Sequence, residues 1–153
     1  MPDWRFVGDS VMGGVSQGRV TQAHIVGREA LRLTGQVSLD NNGGFLQMAA
    51  DLAPEGAVMD ASGWSGIEMD VLGNGESYDL RLRTDQLSRP WQSYRADLST
   101  TGAWQSHRFH FAEMAAHRTD IPFDPARLRR IGVLAVGRAM DADIAVAGLR
   151  LYR

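Results

Sequence analysis

Apolar and polar residues alternate with a period of two along much of this chain. Leu31, Leu33, Val37 and Leu39 interleave with Arg32, Thr34, Gln36 and Ser38. Ile67, Met69 and Val71 interleave with Glu68 and Asp70, and Tyr78, Leu80 and Leu82 with Asp79, Arg81 and Arg83. A two-residue period places one side chain in two on the same face, which marks strands buried on one side. Comparable stretches at 19–26, 44–50, 92–98, 104–111, 131–137 and 143–152 bring the expected number to about nine strands. Helical signal is sparse. Phe111 to His117 reads as one or two turns, and Asp124-Pro125-Ala126-Arg127 reads as an N-cap followed by proline at the first helical position. Neither segment is long enough to carry a crossover between parallel strands. The pattern predicts an all-β domain of the β-sandwich, jelly-roll kind, spanning residues 1–153 without an internal boundary.

Composition narrows the classes of partner. At 44% hydrophobic and 22% charged residues, the 153-residue chain has the balance of a globular domain with a substantial core. All 16 basic residues are arginine, a bias that GC-rich coding explains, and the net charge is −2 with the two signs interspersed. That distribution gives no basic face for nucleic acid. No apolar run approaches the length of a membrane span, and the start, MPDWRFVGDSVMGG, has no basic segment followed by an apolar one. We therefore expect a cytoplasmic protein. The absence of cysteine excludes disulfides and thiolate metal sites.

Candidate chemistry is thin. Gly14-Val15-Ser16-Gln17-Gly18 has the G-x-S-x-G spacing of a nucleophile elbow. An elbow needs a strand before the serine and a helix after it; here the preceding residues are glycine-rich and the following ones read as a strand. Phosphate-binding glycine loops of the P-loop or dinucleotide type are absent. His107 and His110 stand three apart on an expected strand, so they face opposite ways and do not converge on one metal. The run Asp40-Asn41-Asn42-Gly43-Gly44 reads first as a turn, with a structural calcium left open. No other cofactor is expected, and no catalytic group is assigned.

Among the aromatics, Trp4, Trp64, Trp91, Trp104, Tyr78 and Tyr94 are either core residues or a sugar-stacking platform. Trp91, on a loop entering a strand, is the best candidate for an exposed ring, with Tyr94 just beyond it. Arg81 and Arg83 share a strand face with Asp79 and Asp85. That face is either solvated and laced with cross-strand ion pairs or a concave surface for a polar ligand or partner.

The blocks Trp4…Gly8-Asp9-Ser10-Val11-Met12-Gly13-Gly14-Val15-Ser16 and Asn41-Asn42-Gly43-Gly44-Phe45 resemble the complex I intermediate-associated protein 30 family. So do Leu33 to Leu39, Gly66 to Val71, Gly73-Asn74-Gly75 with Tyr78, the Leu80-Arg81-Leu82-Arg83 strand, Tyr94, Trp104 and Leu128 to Gly132. The resemblance covers nearly the whole chain. It implies a galactose-binding-like jelly roll without catalytic function. It further implies a role like that of the eukaryotic members, assembly chaperones of respiratory NADH:ubiquinone oxidoreductase, whose partners are respiratory-complex subunits or assembly intermediates. The chain reads as a bacterial stand-alone member. The expected binding or fold-defining cluster comprises Asp9, Met12, Gly13, Gly14 and Ser16 from one loop and Asn42, Gly43, Gly44 and Phe45 from the other. Arg81, Arg83, Trp91 and Tyr94 are the candidates on a sheet face. The alternative function is a carbohydrate or small-ligand binding module.

Overall fold

The computed structural model describes residues 3–9, 13–40 and 43–153. Within them the chain forms β1 (Arg5–Gly8), β2 (Gln17–Ile25), β3 (Arg28–Val37), β4 (Phe45–Asp51), β5 (Gly66–Gly73), β6 (Ser77–Thr84), β7 (Ser93–Ser99), β8 (Gln105–His110), β9 (Ala115–His117), β10 (Leu128–Val136) and β11 (Met140–Tyr152). They make two antiparallel sheets, one of six strands in the order β1-β4-β10-β6-β7-β9 and one of five in the order β2-β3-β11-β5-β8.

The inner positions of each alternating strand meet between the sheets. Leu46, Met48, Leu80, Leu82, Ile131 and Val133 come from the six-stranded sheet, and Leu33, Ile67, Met69, Val71, Ile144 and Val146 from the other; all are buried in one cluster. Full burial of an aliphatic side chain of this size contributes about 1.5–3 kcal/mol, so this layer dominates stability. The jelly-roll sandwich expected from the alternation is what the chain builds.

Two of the eleven strands escape the pattern. β1 has four residues and β9 three, too few for a two-residue period to stand out. Each exists through its partner, β1 through β4 and β9 through β7. The expected helical segment at Phe111 to His117 is corrected accordingly. Only Phe111–Glu113 makes a 3-10 turn, with His110 Nδ1 accepting the Ala112 N–H at 3.1 Å, and Ala115–His117 is strand. The turn at Pro125–Arg127 forms as expected, its Ala126 N–H bonded to Asp124 Oδ1 at 3.0 Å.

Candidate functional site

Two loops meet at one end of the sandwich, where Asp9 follows β1. Its carboxylate is 0% exposed. Oδ1 accepts the Ser16 N–H at 3.1 Å; Oδ2 accepts the Ser16 hydroxyl at 2.5 Å and the Gly44 and Phe45 N–H groups at 2.6 and 3.3 Å. The Ser38 N–H donates to Ser16 Oγ at 2.8 Å, which ties in the end of β3. Burial by itself raises the Asp9 pKa. The hydrogen bonds from Ser16, Gly44 and Phe45 outweigh it and hold the carboxyl below its ordinary value, so the group is an anion.

The glycines are required by this closeness. A Cβ on Gly14 would lie 2.5 Å from Asp9 Cγ and 2.7 Å from the Gly43 Cα, and one on Gly43 would lie 2.6 Å from Asp9 Oδ2. Gly44 adopts φ +141°, which other residues rarely take. The structure thus brings Asp9, Gly14, Ser16, Gly43, Gly44 and Phe45 together around one carboxylate. Gly13 stands beside them with φ +84° and open space at its Cβ position. Met12 and Asn42 lie outside the described residues, as do Asn41 and Asn42 of the turn considered for calcium. The Ser16 hydroxyl has a carboxylate and the backbone N–H and carbonyl of Ser38 as its partners among the described residues, with no imidazole among its hydrogen bonds, and β2 follows it as a strand. That arrangement has none of the parts of a nucleophile elbow.

A second region lies on the outer face of the six-stranded sheet. Arg81 pairs with Asp79 along its own strand at 3.0 Å, and Arg95 approaches the same carboxylate at 4.0 Å. Arg83 departs from the expected ion-paired face. Asp85 pairs instead with Arg127 at 2.6 Å, and Arg83 has no carboxylate within ion-pair distance among the described residues. Its Nη1 donates to the carbonyls of Arg89 and Gln92 at 2.7 and 2.5 Å, which pins the loop before β7. Burial, then the neighbouring Arg130 and Arg129 cations, lower the Arg83 pKa from its ordinary value.

Trp91, on that pinned loop, is 55% exposed, with the Arg89 guanidinium 5.9 Å from the ring centre. Trp64 is 37% exposed beneath the Arg153 guanidinium, 4.4 Å from its ring centre. Trp4 is in the core, and Trp104 donates Nε1–H to Ile25 O at 3.0 Å beside the buried Ala30, Ala145 and Ala147 of the opposite sheet. Tyr94 is corrected to the core. It is wholly buried against Phe123, with its hydroxyl donating to Ile121 O at 2.8 Å, because its position on β7 faces inward opposite Leu82.

The denser lacing of charge is on the outer face of the five-stranded sheet. There Asp70 accepts from Arg28, Arg150 and Ser106, and Glu68 from Arg108 and Arg150. Arg32 and Asp143 make a two-bonded pair at 2.8 and 2.7 Å. Sequence reasoning missed Arg130, Ser93 and Gln47, which line a small cavity with Arg81 and Arg83. An outward arginine on a strand is ordinary by itself. Only the pairing of β6 with β10 shows that Arg130 stands opposite Arg83.

The chain has the fold of the family 11 carbohydrate-binding module of the cellulosomal cellulase Lic26A-Cel5E of Clostridium thermocellum, with a TM-score of 0.77, 12% identity, and coverage of 99% of this chain and 88% of that one. A family 30 carbohydrate-binding module superposes with a TM-score of 0.71 at 15% identity, over 97% of this chain and 80% of that chain. A region covering 23% of an exo-beta-agarase chain matches 97% of this one with a TM-score of 0.63 at 11% identity. At these identities the likeness is one of fold. No curated protein matches the sequence. No helix among the described residues is long and apolar enough to cross a membrane. The family model of complex I intermediate-associated protein 30 (CIA30) matches residues 1–146, and the chain therefore belongs to the CIA30 family.

Proposed function

We propose that this protein is a non-catalytic module that binds a protein partner in the manner of an assembly factor, with respiratory-complex subunits or assembly intermediates as the partner class. The observation that carries this reading is the internal use of the glycine-loop motif. Asp9 and Ser16 direct their polar atoms at each other and at the backbone, so they hold two loops in shape and leave no reactive group. Among the described residues the latched loops present two apolar side chains outward. Val15 is 46% and Leu39 52% exposed, on segments joined through Ser16 and Ser38. Val15 lines an open groove with Val37, Ala139 and Met140, and with the polar Gln17, Gln36, Ser38 and Asp141. Exposed apolar side chains rimmed by polar ones suit a protein surface. Membership of a family described as complex I intermediate-associated supports the choice of partner.

The test is affinity capture from the native host with wild type and a Val15→Arg/Leu39→Arg variant. Recovery of a respiratory-complex subunit that the variant loses, while its melting temperature is kept, is the expected result. No such subunit above background overturns the reading.

A second reading, a carbohydrate-binding module, rests on the exposed Trp91 ring. Aromatic faces stack on sugar rings, and Trp91 sits beside the outer face of a sandwich whose structural neighbours include carbohydrate-binding modules. Glycan-array binding abolished by Trp91→Ala would favour it over a protein partner.

A further inference from the structure

We infer that the outer face of the six-stranded sheet holds a carboxylate-binding pocket, formed by Arg83 and Arg130 with Ser93 and Gln47, that takes an acidic side chain of a protein partner. The inference rests on the reading of the partner as a protein and adds a chemistry and a place.

The pairing of β6 with β10 sets Arg130 directly opposite Arg83. Like charges opposite each other on one sheet face repel, and among the described residues neither guanidinium has a carboxylate within ion-pair distance. Asp51, the register partner of Arg130 on β4, is exposed and makes no ion pair with it. Asp79 is already held by Arg81. On the opposite sheet Arg28, Arg32, Arg108 and Arg150 are each paired with a carboxylate, and Arg19, exposed and without an ion pair among the described residues, stands opposite Thr34 and not another cation. The unneutralised pair is therefore local to this face.

The pocket is also preorganised. Two backbone carbonyls fix Arg83 through Nη1, leaving its Nε and Nη2 without a protein acceptor among the described residues. Two buried groups lining the same cavity lack partners: the Ser93 hydroxyl, on a residue only 3% exposed, and Arg130 Nε. Buried polar atoms without partners are rare in native proteins and call for a missing one. A carboxylate supplies four acceptor sites and meets a guanidinium through two parallel bonds. Gly132 forms part of the floor, and a Cβ there would lie 2.3 Å from Gln47 Nε2. The cavity, about 40 Å³, has room for one small group and no more. Arg130 also borders an open groove of about 730 Å³, whose charged lining is Arg5 with Asp3, Asp51 and Glu55.

The experiment is calorimetric titration of the full chain with hexaglutamate, and in parallel with galacturonate oligomers, at low ionic strength. Arg130→Gln is the principal variant, because Arg83 also holds a loop. Arg19→Gln, an exposed arginine on β2, is the control. Expected are hexaglutamate binding that weakens as salt is added, a loss of at least about tenfold on Arg130→Gln, a smaller loss on Ser93→Ala, and no change on Arg19→Gln. Absence of binding, equal binding by Arg130→Gln, or preference for galacturonate overturns the proposal. Hexaglutamate binding with no captured respiratory subunit leaves the pocket standing and removes the assembly reading. A captured subunit with no hexaglutamate binding does the reverse.

Discussion

Asp9 and Ser16 are joined twice, through the serine N–H at 3.1 Å and its hydroxyl at 2.5 Å, so a single carboxylate closes the loop between them. The same oxygen that takes the hydroxyl also takes the Gly44 N–H, from 35 residues further along the chain. Replacing Asp9 by Ala leaves these donors buried and unpaired. We expect a loss of about 3–5 kcal/mol in urea unfolding, a large share of a normal domain's stability. Ser16→Ala keeps the carboxylate and three of its donors, and should lose about 1–2 kcal/mol.

Glycine substitutions should separate packing from backbone freedom. Gly14→Ala drives a methyl against Asp9 and the Gly43 backbone, and should destabilise by about 1–3 kcal/mol. Gly63→Ala meets nothing within 4 Å and needs no positive φ, so its melting temperature should stay level or rise slightly. Equal losses at the two positions would contradict the close approach around Asp9.

Acid stability has a defined source in Asp70. The hydrogen bond from Arg150 is the largest influence on its carboxyl; burial opposes it, and Ser106 and Arg28 add to it, bringing the pKa from 3.8 to about 2. A lowered carboxyl pKa stabilises the fold above the unfolded value, and that contribution disappears as the folded group protonates. We expect about 2 kcal/mol to be lost as pH falls from 3.8 towards 2. Urea midpoints measured across that range should fall steeply in wild type and less in Asp70→Asn. His107 acts earlier. Burial lowers its pKa from 6.5, so its contribution is present above that pH and declines as the unfolded imidazole takes up a proton.

Substitutions at Tyr94 and Trp91 should differ in their effect on stability. Tyr94→Phe removes the bond to Ile121 O and should reduce stability by about 1 kcal/mol, measurable by chemical denaturation. Trp91→Ala removes a mostly exposed ring and should stay within about 0.5 kcal/mol of wild type.

Alternation made β3, β5 and β6 legible, whereas β10 and β11, buried on both faces over 131–135 and 144–147, read as short apolar runs bounded by turn residues. β1 and β9 were not legible, since a three- or four-residue strand is defined by the neighbour it joins. Glycine density drew attention to both loops of the latch. That Asp9 is its hub depends on donors from Gly44 and Phe45, which local sequence does not place. Tyr94 was misplaced because a period of two says which residues share a face and not which face is inside. The opposition of Arg83 and Arg130 needed still more, since a register irregularity between Leu128 and Arg130 sets how β10 meets β6.

The place of β11 bears on how the protein is made. It lies in the middle of the five-stranded sheet, between β3 and β5, although it follows all ten other strands in the chain. Without β11 the sheet would be two separate ribbons, β2 with β3 and β5 with β8, each with a backbone edge that β11 alone joins. The pair Arg32 and Asp143, 111 residues apart, can form only when β11 joins. Such distant joining is slow, and a nascent chain halted short of it carries two adhesive edges into the cell.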